Sequence, residues 1–461
     1  MKKKTKNFHL RVIFRKGIKR FRNRIKKKRK RNKKNVVQFA KENSSLHSDD
    51  RVYTRQRTSI REKVIPYNLA SIFRSGNKSW HPDKLKKIRL RNDVIKVPKI
   101  FSIIKTPRES YKVIYKVLKS FLSSKYHSLV LDYYECVETD LVTEIFLDAI
   151  LKDIAKLSEE HLSYVTNKGI GFTKIQGIRY DDISLQKMMN SVGSPQILMD
   201  KTRKYHDVTP FHLRYHRLSE KQMKDNQNQN EKDATDLMEY IQVCLAKFKR
   251  KLLPEEAKEL GCIIGEILIN AEEHSSTKCR YVIGYMEDST DKSKSHTGIF
   301  NLVIMNFGKT IYEKFKYPSH DNDLNQECLQ QMEQLTKKFR SRNILNFSNR
   351  FTEETLWTLY TLQEGVTCVP NSKRGNGTIQ FIESFFKLKG SDEIDDISRM
   401  YILSGKTMIE FDGKYRLVNK QVISFNESGN LLDAPDHRYV KTVEHYFPGT
   451  AIFVRLLMKD N

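Results

Sequence analysis

Charge segregation constrains this chain more than any other feature. Residues 1–35 hold 19 Lys and Arg and no acid. Like charges at that density repel, so the run Lys26, Lys27, Lys28, Arg29, Lys30 and Arg31 favours no fold unless a polyanion neutralises it. Just upstream, Phe14, Ile18, Phe21 and Ile25 recur at helical spacing with cations between them. Residues 36–100 hold 15 Lys and Arg against 6 acids. Of the formal net charge of +29, +28 is therefore carried before residue 101, and the remaining body is almost neutral. The chain is 38% hydrophobic, with 24 Phe and 21 Tyr, which is enough to build cores and excludes collagen-like, mucin-like and wholly disordered classes.

At 461 residues the expectation is two to four domains. The six cysteines (Cys136, Cys244, Cys262, Cys279, Cys328, Cys368) form no CxxC pair and no Cys/His cluster with zinc spacing. Buried or free thiols in a reducing compartment are expected. No run reaches the roughly 18 apolar residues of a membrane span. The charged N-terminus lacks the apolar core of a secretory signal. The expected location is cytoplasmic.

Along the chain, 1–35 reads as a basic arm and 36–99 as a basic, partly ordered linker containing Trp80-His81-Pro82. Arg108–Ser123 predicts a helix, with Tyr111, Ile114, Tyr115, Leu118 and Leu122 on one face. Ser128–Asp132 predicts a buried strand ending in an acid, Leu141–Leu157 a second helix, and Ile175–Ile178 a further strand. This alternation predicts a small α/β domain over 100–205. Residues 206–233 read as a linker, since Ser219–Asp233 is rich in Lys, Asn, Gln and Asp without an apolar period. A second domain follows over 234–461. Leu237, Ile241, Leu245 and Phe248 stripe one helix, and Pro254 opens a long helix to Ser275. Strands are expected at Cys279–Met286, Ile299–Asn306, Met400–Leu403, Thr407–Phe411 and Thr450–Leu457, with a helical insertion over about 312–364.

Three features carry chemistry. Glu266, Asn270 and His274 stand at i, i+4 and i+8, so one helix face presents an acid, an amide and an imidazole. A carboxylate can serve as general base, and an amide oxygen suits Mg²⁺, which shares oxygen ligands with phosphates. Alone, such a face is more often a solvated helix surface. Asn306-Phe307-Gly308 closes an apolar strand, placing a polar residue where the backbone turns tightly. Lys373-Arg374-Gly375-Asn376-Gly377-Thr378 precedes a helix whose exposed amides favour phosphate.

In this order the three features resemble the boxes of the GHKL ATPase family, which includes gyrase, heat-shock chaperones, sensor histidine kinases and mismatch-repair proteins. The match covers about 234–457. Glu266-x-x-x-Asn270-Ala271-x-x-His274 resembles the family's N-box and is most similar to that of the anti-sigma-factor serine kinases. Asn306-x-Gly308-x-Thr310 resembles the first glycine box, Gly375-x-Gly377-Thr378 the second, and Pro448-Gly449-Thr450 opens a stretch similar to the last strand. The resemblance implies an α/β class: a GHKL-type sandwich with a mixed sheet and helices on one face, plus the smaller α/β domain and a largely disordered basic arm. It implies ATP and Mg²⁺ as ligands, Glu266 as base, Asn270 as metal ligand, and His274 near the site. Gly375, Gly377 and Thr378 would wrap the phosphates, with Lys373 and Arg374 at the base of a mobile lid over about 312–373. Asn306 stands where the family has the Asp that binds adenine, and Thr310 where it has Gly. Residues 100–205 resemble, weakly, a STAS-type domain.

Three functions compete. The first is an ATPase or nucleotide-gated switch acting on a protein or nucleic-acid partner. The second is a serine/threonine kinase of the anti-sigma type. The third is a non-catalytic nucleic-acid or interaction module. A histidine kinase is disfavoured, because no separate phosphoacceptor helix precedes the N-box. The arm points to nucleic acid, with an anionic membrane surface as the alternative. Deleting 1–35 should abolish retention on DNA or RNA at low salt while leaving nucleotide affinity unchanged, measured by filter binding; surviving retention would remove the arm from the contact.

Overall fold

A computed structural model describes residues 67–90, 94–123, 128–164, 174–199, 203–217, 223–273, 275–290, 296–317, 323–343, 350–363, 377–390, 393–416 and 422–460. These divide into two compact units that interleave along the chain. Both helices and sheets are present, as the α/β class requires. Among the described residues no helix is long and apolar enough to cross a membrane, and none of the described cysteines forms a disulfide. The basic run Lys26–Arg31 lies outside them.

In the first unit, α1 (Tyr67–Phe73) is followed by a 3₁₀ turn (Lys78–Trp80) and α2 (Pro82–Leu85). Strand β1 (Val94–Lys96) comes next; β2 (Ile100–Phe101) belongs to the second unit. Helix α3 (Pro107–Ser123) contributes its later turns to the first unit, followed by β3 (Ser128–Asp132). Beyond β4 (Glu138–Thr139) and the first turns of α4 (Leu141–Tyr164), the first unit resumes and ends on β5 (Lys174–Ile178). Strands β1, β3 and β5 form a parallel sheet in that order. Trp80 is fully buried, edge-on to Tyr115 at 4.8 Å. Residues 67–90 and 94–97 thus contribute to a core, and the segment up to 99 is not a linker throughout. The basic composition hid this, because the buried Leu69, Ile72, Phe73, Trp80 and Leu85 are spread thinly among solvated cations. The expected single domain over 100–205 is likewise divided between the two units.

The second unit centres on a five-stranded sheet of order β6-β7-β8-β10-β9. After α5 (Ile183–Val192) and α6 (Ser194–Met199) come β6 (Val208–Arg217), α7 (Met223–Lys247) and α8 (Pro254–Glu273). Strands β7 (Cys279–Thr290) and β8 (His296–Phe307) form a hairpin. Helices α9 (Ile311–Lys316), α10 (Asp323–Arg342), α11 (Glu353–Tyr360) and α12 (Gly377–Leu388) precede β9 (Arg399–Phe411) and β10 (Val440–Lys459).

Five expectations are corrected. The sheet is antiparallel at every pairing, not mixed. Helices cover both faces. Phe300, Leu302 and Ile304 pack with α7, α8 and α12, whereas Phe307 on the opposite face lies 5.8 Å from Phe146 of α4. Residues 206–233 are not a linker: β6 is an edge strand of the sheet, and α7 begins eleven residues before Ala234. Finally, the described part of the presumed lid is packed. Met332, Phe339, Leu356 and Trp357 are buried in the main core, and Trp357 Nε1 donates to Thr336 Oγ1 at 2.9 Å. The two strands expected at 400–411 are one strand, kinked at Gly405, whose φ of +58° leaves room for the Glu354 carboxylate.

Asp148, fully buried on α4, accepts a hydrogen bond from Ser194 Oγ. Burial pushes its carboxyl up to about 7. The unfolded chain ionises this group near pH 4. Between those values the folded state keeps a proton that the unfolded state has lost, so stability falls as pH rises and levels off above about 7. Asp148→Asn keeps the acceptor for Ser194 and removes the charge. Its thermal midpoint should gain more over the parent at pH 8 than at pH 5; an equal gain at both would contradict a raised carboxyl.

Candidate functional site

Helix α8 starts with Pro254 at N1, where the missing N–H costs nothing, and with Glu255 and Glu256 favourably near its positive end. Leu260, Ile263, Ile264, Ile267 and Leu268 bury one face. Glu266 and Asn270, one turn apart, are half-buried. Neither side chain makes a hydrogen bond or ion pair with another described residue. His274 lies outside the described residues.

The end of β8 is laced to the end of α8. Asn306 is 4% exposed, and both ends of its amide are used. Nδ2 donates to the Ala271 carbonyl at 2.7 Å, and Oδ1 accepts from the Thr450 amide at 3.2 Å. Asn306 therefore sits one residue from Asn270 but joins α8, β8 and β10 as a staple. An Asp here could not donate to Ala271, which explains why this chain carries the amide. Ser275 Oγ donates to the Phe307 carbonyl at 2.7 Å. Gly308 has φ +129°, and a Cβ there would come within 2.5 Å of the Ser276 amide nitrogen. Gly308 is thus required for close backbone approach. Thr310 is a helix cap: its hydroxyl accepts from Glu313 N and Glu313 returns the bond to Thr310 N.

Arg250, four residues before α8, donates through Nη1 to the Leu388 carbonyl at 2.7 Å and to that of Lys389 at 3.1 Å. It thereby satisfies the C-terminal end of α12 near the start of α8. The two helices pack together, so they run antiparallel. Lys373, Arg374, Gly375 and the Thr378 side chain lie outside the described residues.

Sequence reasoning missed a charge network beside this stretch. Arg280 and Glu272 are fully buried. Arg280 Nε lies 2.7 Å from Glu272 Oε1, and Nη2 donates to Asp233 Oδ2 at 2.6 Å and to Asn230 Oδ1 at 2.8 Å. Asn230 Nδ2 donates to Glu272 Oε2 at 3.3 Å, and His216 Nδ1 touches Glu272 Oε1. The network ties the last turn of α8 to α7, β6 and β7. The signal was present: Glu272 falls one turn after Leu268, on the apolar stripe, where a carboxylate needs a buried counter-charge.

Chemically, a carboxylate and an amide one turn apart, with no partner among the described residues, can receive a metal–phosphate group. Among the described residues no group of three or more His, Cys, Asp or Glu could hold a metal alone. That donor set fits Mg²⁺ carried in by phosphates, which needs only one or two protein oxygens. The staple predicts that Asn306→Asp lowers unfolding stability by about 1–3 kcal/mol at pH 7, because a carboxylate oxygen would face the Ala271 carbonyl. Urea denaturation measures this, and an unchanged midpoint would refute the staple. Comparison with protein-family models, curated proteins and solved structures returns no match.

Proposed function

We propose that residues 234–461 bind ATP with Mg²⁺ in the manner of the GHKL family and act as an ATPase or nucleotide-gated switch. The observation that carries this reading is the pair Glu266 and Asn270, half-buried on α8 with no partner among the described residues. In this reading Asn270 contributes an oxygen to Mg²⁺, and the metal neutralises phosphate charge. Glu266 orients and deprotonates the attacking water. The start of α12, with Gly375 and Gly377, receives phosphate oxygens, and Lys373 and Arg374 meet the γ-phosphate. The packed α9–α11 layer makes the switching element shorter than the 312–373 segment, since 311–363 is largely built into the core. The basic arm would hold the protein on nucleic acid, with the sequence-tolerant and salt-sensitive binding of phosphate contacts.

MgATP should raise the thermal midpoint of the parent, and Asn270→Ala should abolish that rise. No rise in the parent would overturn the ATP reading. Glu266→Ala should retain binding and lose at least about 100-fold in phosphate release, the usual contribution of a general base. With labelled ATP and candidate partners, label appearing on protein instead of as free phosphate would favour a serine/threonine kinase.

A further inference from the structure

The near-neutral body carries a concentrated basic stretch. Residues 334–352 hold five Lys and Arg and no acid. Half of this stretch is the end of α10, and the packed side of that helix fixes its orientation. Met332 and Phe339 are buried in the core, and Trp357 Nε1 donates to Thr336 Oγ1 at 2.9 Å. Phe339 meets Phe351 edge-on at 6.3 Å, and Asn343 Nδ2 donates to the Leu432 carbonyl at 2.8 Å. One side of the helix end is therefore pinned. Lys337, Lys338, Arg340 and Ser341 are exposed on the other.

Cations at a helix C-terminus meet the negative end of its dipole, but that effect fades within the last turn. It accounts for Arg340 and Arg342, which lie in that turn. Arg342 is also paired, with its Nε 2.6 Å from Asp433 Oδ1. Lys337 and Lys338 come earlier, where the dipole gives them no role. Glu333, one turn before Lys337, is held by Lys316 at 3.3 Å. Among the described residues Lys337, Lys338 and Arg340 form no ion pair. Another basic run, Lys247–Lys251, behaves differently. Lys247 pairs with Asp288 at 2.9 Å and Lys249 with Asp460 at 3.8 Å, and Arg250 donates to the Leu388 carbonyl at 2.7 Å. Its cations hold the fold together, whereas those of α10 face outward. Gln330 and Gln334 extend the same exposed face toward the start of the helix.

We propose that this face of α10 is a second contact for the phosphate backbone of nucleic acid, on the folded body and additional to the basic arm. The inference rests on the nucleic-acid reading of that arm. Cations interleaved with Gln and Ser are the side chains that bind phosphate and sugar. An anionic membrane is the poorer match. A helix lying in a lipid interface turns its apolar face to the lipid, and the apolar side of α10 is packed in the core. The contact reads charge and carries no base preference.

The test is binding of the full chain to a mixed-sequence DNA duplex, by fluorescence anisotropy, across a series of salt concentrations. Each phosphate contact contributes about 0.9 to the slope of log affinity against log salt. Lys337→Gln/Lys338→Gln/Arg340→Gln should therefore reduce that slope by about 2.7 and leave the thermal midpoint in place. Should this variant fail to fold, Lys337→Gln/Lys338→Gln should reduce it by about 1.8. Lys232→Gln, at an exposed position of α7, should leave the slope unchanged. A parent that does not bind the duplex would remove the reading of the arm and this proposal together. A parent that binds, with its slope kept in both α10 variants, would overturn this proposal alone. So would an equal loss per residue in Lys232→Gln, or lost retention on phosphatidylserine vesicles with the DNA slope unchanged.

Discussion

Burial of strand β8 on both faces is the constraint on which the second unit depends. From Phe300 to Phe307 every residue is buried, and the strand is hydrogen-bonded on both sides, to β7 and to β10. A strand of this kind needs cover above and below. The helices α7, α8 and α12 supply one layer, and the first turns of α4 with α5 supply the other. Phe146 meets both Phe307 and Phe447, at 5.8 and 4.9 Å, so α4 is seated by aromatic contacts with two neighbouring strands. The chain accordingly returns to the second unit for β4 and the first turns of α4 before completing the first.

The same strand organises the candidate site. Its last polar residue, Asn306, grips the end of α8 and the backbone of β10, while Ser275 and Gly308 close the turn beside it. On the other side, the Arg280–Glu272–Asp233 network holds the same last turn of α8. Two polar devices, one neutral and one charged, thus position the stretch that carries Glu266 and Asn270. Buried ion pairs contribute little net stability but are costly to break singly, so they define geometry more than they add free energy. The side chains proposed for chemistry have no partner among the described residues, while their supports are paired. That division is expected where a site must stay receptive on a rigid frame.

Much of this was legible in the sequence. The α8 helix, its Pro254 start, the β7 and β8 strands, and the helix opening near Gly377 follow from periodicity and local punctuation. Other parts were legible but misread. The unbroken apolar run Leu302–Met305 marks a strand buried on both faces, and so helices on both sides of the sheet. Residues 219–233 looked like linker because their Asn and Asp residues lack an apolar period. In the fold, Asn230 and Asp233 are buried precursors of no surface at all: they are the partners Arg280 requires. The boundary placed at residue 100 followed a change in charge, but β1 at 94–96 hydrogen-bonds to β3, across that change.

The sequence by itself determined what depends on neighbours a turn or a strand apart: the charge segregation, the helix face carrying Glu266 and Asn270, and the apolar strands. Tertiary structure alone decided what depends on partners far along the chain. Asn306 finds its two partners 35 and 144 residues away. Those contacts make it a staple between α8, β8 and β10. They arise from a register between β8 and β10 that no local pattern encodes. The two-sided cover of the sheet and the antiparallel order are likewise products of packing. Hydrogen-bond capacity is written in each side chain, but which capacity is spent is settled only when distant strands meet.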